Sequence, residues 1–136
     1  MTIILKKQDY DEILAHALIN LPNEACGLLG GQMDGEVKTV EKVYLLTNAD
    51  QSPEHFSLDP KEQFAVIKDI RSRNGVLLGN FHSHPASPSR PSEEDKRLAY
   101  DPEVSYQGAT NLELGEDYGG YPQAKTVLLG VRFDIR

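Results

Sequence analysis

The sequence predicts an α/β domain in which one mixed sheet is flanked by helices. Segments with apolar residues at helical spacing alternate along the chain with short continuous apolar runs, in the order helix, strands, helix, strand, helix. The length of 136 residues, with 39% hydrophobic and 26% charged residues, is ordinary for one globular domain with a buried core. We therefore expect a single domain over residues 1–136.

The chain opens with a predicted strand and a predicted helix. Residues 3–5 form a short apolar run, and from residue 10 to residue 21 the apolar positions follow one helix face. Asp9 and Glu12 have the spacing of a capping pair at the start of that helix. Pro22 then ends it.

A hairpin follows, and after it a loop. Residues 25–29 are small and apolar, as in a buried strand, and Asp34-Gly35 is typical of a hairpin turn. Valines and a leucine over residues 37–45 predict the return strand, and residues 47–60 are polar and rich in turn formers.

The second half of the fold begins with another helix. The Asp-Pro pair at 59–60 resembles an N-cap followed by proline at the first helical position, and residues 64–70 mark one helix face. The Asn-Gly pair at 74–75 is a C-cap signal. Residues 76–81 predict a central strand, and after a proline-rich stretch residues 92–100 predict a short helix.

Charge, hydropathy and cysteine content exclude several classes of function. A net charge of −7 without a compensating basic stripe disfavours nucleic-acid binding. No apolar stretch approaches the roughly 18 residues of a membrane span, and residues 1–10 lack the features of a secretory signal. The one cysteine, Cys26, cannot form an internal disulfide, which suits a reducing, cytoplasmic location.

The candidate chemistry lies at the end of the strand predicted over residues 76–81. Because side chains alternate along an extended chain, His82 and His84 point to the same face, where two imidazoles are a natural nitrogen pair for zinc. Asp95 follows His84 by eleven residues, and the intervening turn can return its carboxylate to the same point. Three protein ligands and an open position define a catalytic zinc site, which activates water near neutral pH.

Glu24 and Ser92 are candidates for proton transfer and for oxyanion binding. Glu24 is a polar residue where a buried strand begins, and it can take the proton of an activated water if the fold brings it to the histidines. Ser92 can donate a hydrogen bond to the oxyanion that forms in amide hydrolysis.

These residues also have purely structural interpretations. A His-x-His pair is commonly a surface feature, residues 92–95 match an ordinary helix N-cap, and Glu24 can be a solvated loop carboxylate. Cys26, in an apolar run without a nearby basic group, predicts a buried core residue rather than a ligand or nucleophile. His16 is expected at the surface or boundary of its helix, and the role of His55 stays open.

Together the residues resemble the motif of the JAMM (MPN-plus) metallopeptidase family. The motif positions are Glu24, the run His82-Ser83-His84-Pro85, then Ser92 with seven residues between it and His84, and Asp95 after two more. The segments 24–30, 52–56 and 59–60 are similar to the prokaryotic Mov34/MPN/PAD-1 branch, and the likeness covers about residues 1–106.

The resemblance implies a fold, a metal and a set of roles. His82, His84 and Asp95 would bind one Zn²⁺ per chain, Glu24 would be the general acid/base and Ser92 would stabilise the oxyanion. The implied fold is MPN/JAMM-like, a cytidine-deaminase-like three-layer α-β-α sandwich. The implied function is a zinc metallopeptidase that hydrolyses a peptide or isopeptide bond after the C-terminal Gly-Gly of a ubiquitin-like sulfur-carrier protein.

Two other functions stay open, together with the carrier, the leaving residue and the oligomeric state. One is a catalytically silent MPN-type scaffold that binds a ubiquitin-like protein, and the other is a zinc hydrolase of small amides. A departure from the family pattern follows Tyr106, because residues 107–125 are polar, rich in glycine and without alternation. We expect that segment to be irregular or divergent, before an apolar run over residues 126–131.

Overall fold

One sheet of six strands, with two helices against it, forms the described part of the protein: residues 2–35, 37–85, 110–113 and 126–131 of a computed structural model. The strands are β1 (Thr2–Ile4), β2 (Cys26–Asp34), β3 (Val37–Leu46), β4 (Val76–Ser83), β5 (Thr110–Glu113) and β6 (Thr126–Val131). The helices are α1 (Lys7–Ile19) and α2 (Pro60–Ser72).

The sheet is mixed, as predicted. Its strands lie in the order β1-β3-β2-β4-β6-β5, with β1 parallel to β3 and every other neighbouring pair antiparallel. The mixed α/β class is therefore confirmed, and β2 and β4 are central strands. Neither described helix is long and apolar enough to cross a membrane.

The two helices pack on opposite faces of the sheet. Leu28 and Leu29 are consecutive on β2, so their side chains point to opposite sides. Leu29 belongs to the apolar cluster that includes Ile13 of α1, and Leu28 belongs to the cluster that includes Ile70 of α2. The helix predicted over residues 92–100 lies outside the described residues, so the complete three-layer sandwich stays a prediction.

β2 is flanked by an irregularity on each side. Its register shifts between Gly30 and Gly31 against β3, and between Leu29 and Gly30 against β4. The extra residue on β3 explains why Val40 and Val43, three positions apart, face the same cluster. A Cβ atom at Gly31 would collide with the carbonyl oxygen of Thr39, so glycine alone fits there.

α1 begins earlier than predicted. Its N-cap is Lys6, whose side chain makes no capping hydrogen bond, and Asp9 lies inside the first turn. The predicted capping by Asp9 and Glu12 is therefore wrong. Asp9 instead places a negative charge near the positive end of the helix dipole, which is favourable without capping geometry.

The predicted limits of α2 are confirmed at both ends. The Asp59 carboxylate accepts a hydrogen bond from the Lys61 N–H at 3.1 Å, and proline follows at the first helical position. At the other end Asn74 has a φ of 57°, in the left-handed region. The Gly75 N–H donates to the carbonyl of Ile70 at 2.9 Å, which closes the helix.

The segment 107–125 is not wholly irregular. β5 lies within it and pairs with β6, which in turn lies beside β4. The segment as a whole stays predicted as irregular or divergent, with these four residues in a strand, and the apolar run over residues 126–131 forms the expected strand. β5 stands last in the strand order.

Asp69 joins α2 to β3. Its Oδ2 atom accepts hydrogen bonds from the Tyr44 hydroxyl at 2.6 Å, the Arg73 Nε at 2.9 Å and the Lys42 Nζ at 3.0 Å. These bonds, that of Tyr44 first, hold the pKa of the Asp69 carboxyl well below its usual range. Burial and the same contact raise the pKa of Tyr44.

We expect Asp69→Asn to destabilise the protein at pH 7 and by a smaller amount at pH 3. Because the folded-state pKa is lowered, the stabilisation is complete above the unfolded-state pKa of about 3.9 and is lost gradually as the pH falls from there through the lowered folded-state pKa. Urea unfolding of both proteins at the two pH values measures the difference. Asp34→Asn, at an exposed residue of the hairpin, is the control, and a pH-independent deficit for Asp69→Asn would contradict the assignment.

Candidate metal centre

The end of β4 and the start of β2 bring three titratable side chains together. Cys26 lies opposite His82 in the register, and the Ser83 N–H donates to the Ala25 carbonyl at 2.9 Å. One step further along this pairing Glu24 comes opposite His84. Glu24, His82 and His84 each offer one ligand atom, and these atoms lie within 4.8 Å of one another.

Ser83 fixes this strand end. Its Oγ accepts the Ala25 N–H at 2.8 Å, so a side-chain oxygen continues the ladder where β4 ends. The bond is buried, and the serine stands between the two histidines in the chain. Because both histidines flank a residue held at its main-chain and side-chain atoms, their backbone positions are fixed. The sequence alone did not indicate this role.

Aromatic contacts restrict the first histidine. The Phe56 ring, from the loop between β3 and α2, stacks on His82 with centroids 4.5 Å apart and planes at 21°. The centroid of the His84 ring lies 4.8 Å from that of His82. The His82 ring is therefore in contact with two other rings, which limits its rotation.

The cluster fits a divalent cation. Glu24, His82 and His84 are 4%, 0% and 4% exposed, so a carboxylate and two imidazoles are removed from bulk water at one point. Burial of a charged carboxylate is costly unless an opposite charge compensates it. Two nitrogen donors and a carboxylate oxygen are the donor types that zinc takes in proteins.

The predicted residues divide into two groups. The structure brings Glu24 to His82 and His84, although 58 positions separate the first two in the chain. Ser92 and Asp95 lie outside the described residues, so their roles stay predictions. His55 is exposed and does not belong to the cluster.

Cys26 faces His82 but behaves as a core residue. It is fully buried, and burial, followed by the negative charges of Glu62, Glu24 and Asp50, raises the pKa of its thiol to about 12. The thiol is therefore protonated at neutral pH, and a protonated thiol is a poor nucleophile and ligand. This agrees with the expected core position.

His16 has a structural role that the sequence did not reveal. It is half-buried in the last turn of α1, and its Nε2 lies 3.0 Å from the carbonyl oxygens of both Cys26 and Leu46. The Asn20 amide lies 3.2 Å from Nδ1, which favours the tautomer with the proton on Nε2. His16 thus joins α1 to β2 and β3 close to the cluster.

Comparisons with known proteins match most of the chain. The family model of prokaryotic homologs of the JAB domain matches residues 6–117. A protein of Mycobacterium tuberculosis named CysO-cysteine peptidase is 32% identical over 104 residues, which are 76% of this chain and 70% of the relative. A desampylase of Haloferax volcanii is 34% identical over 101 residues, 71% of each chain.

A solved structure is also similar. A protein of Desulfitobacterium hafniense, whose structure was determined in solution, is 63% identical and superimposes with a TM-score of 0.67. The match covers 74% of this chain and 68% of that one. The two proteins are therefore similar in amino-acid sequence as well as in fold.

We expect Ser83→Ala to lower the free energy of unfolding by about 1–3 kcal/mol, because the buried Ala25 N–H would lose its acceptor. Ser83→Thr keeps the hydroxyl and should retain most of the stability. Urea unfolding in the presence of a chelator measures this without a contribution from bound metal. Equal stability of the alanine and threonine variants would show that the hydroxyl does not hold the strand end.

Proposed function

This chain belongs to the prokaryotic branch of the JAMM (JAB/MPN) family, and on that premise we propose that it is a zinc metallopeptidase acting on ubiquitin-like sulfur-carrier proteins. It would hydrolyse the peptide or isopeptide bond after the carrier's C-terminal Gly-Gly. The observation that carries the proposal is the buried cluster of Glu24, His82 and His84. The relatives named CysO-cysteine peptidase and desampylase support a hydrolase of ubiquitin-like conjugates.

The proposed mechanism assigns one task to each residue. His82 and His84, with Asp95 as third ligand, would hold zinc, which when bound would supply Lewis-acid activation for hydrolysis. The Glu24 carboxylate accepts a proton from the attacking water as the new C–O bond forms. Glu24 then delivers this proton to the leaving nitrogen as the C–N bond breaks, which yields a carboxylate and an amine. Ser92 donates a hydrogen bond to the transient oxyanion.

Two further expectations belong to this proposal. We infer that the complete chain forms the three-layer α-β-α sandwich, since α1 and α2 already cover opposite faces. We also infer a cytoplasmic location, which the single buried cysteine supports.

Glu24 has two possible roles in the cluster. Ligand atoms within 4.8 Å are compatible with direct binding of the metal and also with a carboxylate one water molecule away. The proposal takes the second role, because only a carboxylate without a bond to the metal is available to move a proton. A substitution that keeps the shape and removes the charge separates the two.

We expect Glu24→Gln to bind zinc in a 1:1 ratio and to lose turnover by about 10²-fold or more. His84→Ala should lose stoichiometric zinc, because it removes a nitrogen ligand. Calorimetry and elemental analysis measure binding, and a cleavage assay measures turnover. Loss of zinc from Glu24→Gln would instead make Glu24 a ligand, and stoichiometric zinc in His84→Ala would refute the proposed ligand set.

The substrate class requires a test of its own. The substrates are ubiquitin-like carriers that are extended past Gly-Gly by one amino acid or joined through Gly-Gly to a lysine side chain. They are incubated with the protein, and the masses of the products are measured by mass spectrometry. We expect release of the intact carrier ending in Gly-Gly, and no release after addition of a chelator. Binding of the carrier without cleavage would favour the catalytically silent scaffold. Cleavage of small amides, without cleavage of carrier conjugates, would favour a zinc hydrolase of small amides.

A further inference from the structure

Asn48, just after β3, is 5% exposed and uses both ends of its side-chain amide. Its Nδ2 donates to the carbonyl oxygens of Glu24 at 3.0 Å and His55 at 2.8 Å. Its Oδ1 accepts the N–H groups of Asp50 at 3.0 Å and Ser57 at 3.2 Å. Because two donors face one end and two acceptors face the other, the orientation of the amide is fixed.

The first of these bonds reaches the backbone of the proposed base. Glu24 precedes the first residue of β2, Cys26, and its main-chain groups bond to the loop between β3 and α2. Its N–H donates to the Ser52 carbonyl at 2.8 Å, and its carbonyl accepts from Asn48. The loop between β3 and α2, residues 47–59, thus bonds both the N–H and the carbonyl of Glu24.

A second bond of Asn48 reaches the backbone beside Phe56, the residue that stacks on His82. The His55 carbonyl that accepts from Asn48 immediately precedes Phe56, whose ring stacks on His82. The buried amide of Asn48 therefore bonds both to Glu24 and to the residue just before Phe56. Asn48 itself is not one of the clustered residues.

We propose that Asn48 is a positioning residue that sets the Glu24 carboxylate relative to the His82–His84 pair. The proposal rests on the proposed function of Glu24 as the base. The bonds to Asp50, His55 and Ser57 stay within the loop, whereas the bond to Glu24 leaves the loop and fixes a residue outside it. A misplacement of a catalytic group by about 1 Å can cost about 10²-fold in rate.

The test compares Asn48→Asp, Asn48→Ala and Ser57→Ala. Asn48→Asp keeps an oxygen for Asp50 and Ser57 and loses the donor to Glu24 and His55, whereas Asn48→Ala loses the oxygen and the donor. Ser57→Ala is the matched control, because it removes only the loop bond from the Ser57 hydroxyl to Asp50.

We expect kcat on a carrier conjugate to fall by roughly 10- to 100-fold in both Asn48 variants, with KM and zinc stoichiometry unchanged. Ser57→Ala should stay within about twofold of the parent protein. A pH profile of kcat accompanies these measurements. A rate deficit of the uncharged Asn48→Ala that persists at every pH is positional, whereas a deficit confined to Asn48→Asp would attribute the loss to the added charge and overturn the proposal.

Amide hydrogen exchange supplies a readout that does not depend on turnover. We expect the Glu24 amide to exchange at least about tenfold faster in both Asn48 variants, while the amides that join β2 to β3 are unchanged. If the parent protein cleaves no conjugate, the proposed function fails and the exchange data still decide the position of Glu24. Parent-like exchange at Glu24, or a loss of kcat only in parallel with lost zinc or global stability, would overturn the proposal.

Discussion

The reciprocal pairing of Ser83 with Ala25 is the interaction on which the candidate site depends. Two short hydrogen bonds, from the Ser83 N–H to the Ala25 carbonyl and from the Ala25 N–H to the Ser83 hydroxyl, join strand ends 58 residues apart. Through them Glu24 and His84 become cross-strand neighbours. A carboxylate that would otherwise be a loop side chain is thereby buried against two imidazoles, where charge compensation by a cation is favourable.

The site occupies one end of the sheet face that packs against α2. Moving along β2 toward its start, Leu28 packs below α2 and Cys26 lies beside His82. Among the described residues, the loop of residues 47–59 contacts this end, with Phe56 as the packing residue and Asn48 as the polar connection. Part of the packing around the cluster therefore comes from a loop, which is more easily remodelled than a helix.

Local features could be predicted because they depend on neighbouring residues alone. Alternation put His82 and His84 on one face, and the cap at Asp59 and the turn at Gly35 follow from backbone geometry. The meeting of Glu24 with the histidines depends on strand register, which required the resemblance to a family. The partners of Asn48 depend on the path of a loop, and no local pattern in the sequence encodes that path.

The irregularities beside Gly30 divide the sheet into two halves with separate alternation. Both neighbours of β2 gain one residue where they pass this glycine, so inward and outward positions exchange along β3 and β4 at that level. The half that carries the cluster and the half that ends in the turn at Gly35 are thus out of phase with each other. The turn lies at the opposite end of β2 from the histidines, so the hairpin tip is a suitable place for a fused reporter or a surface tether.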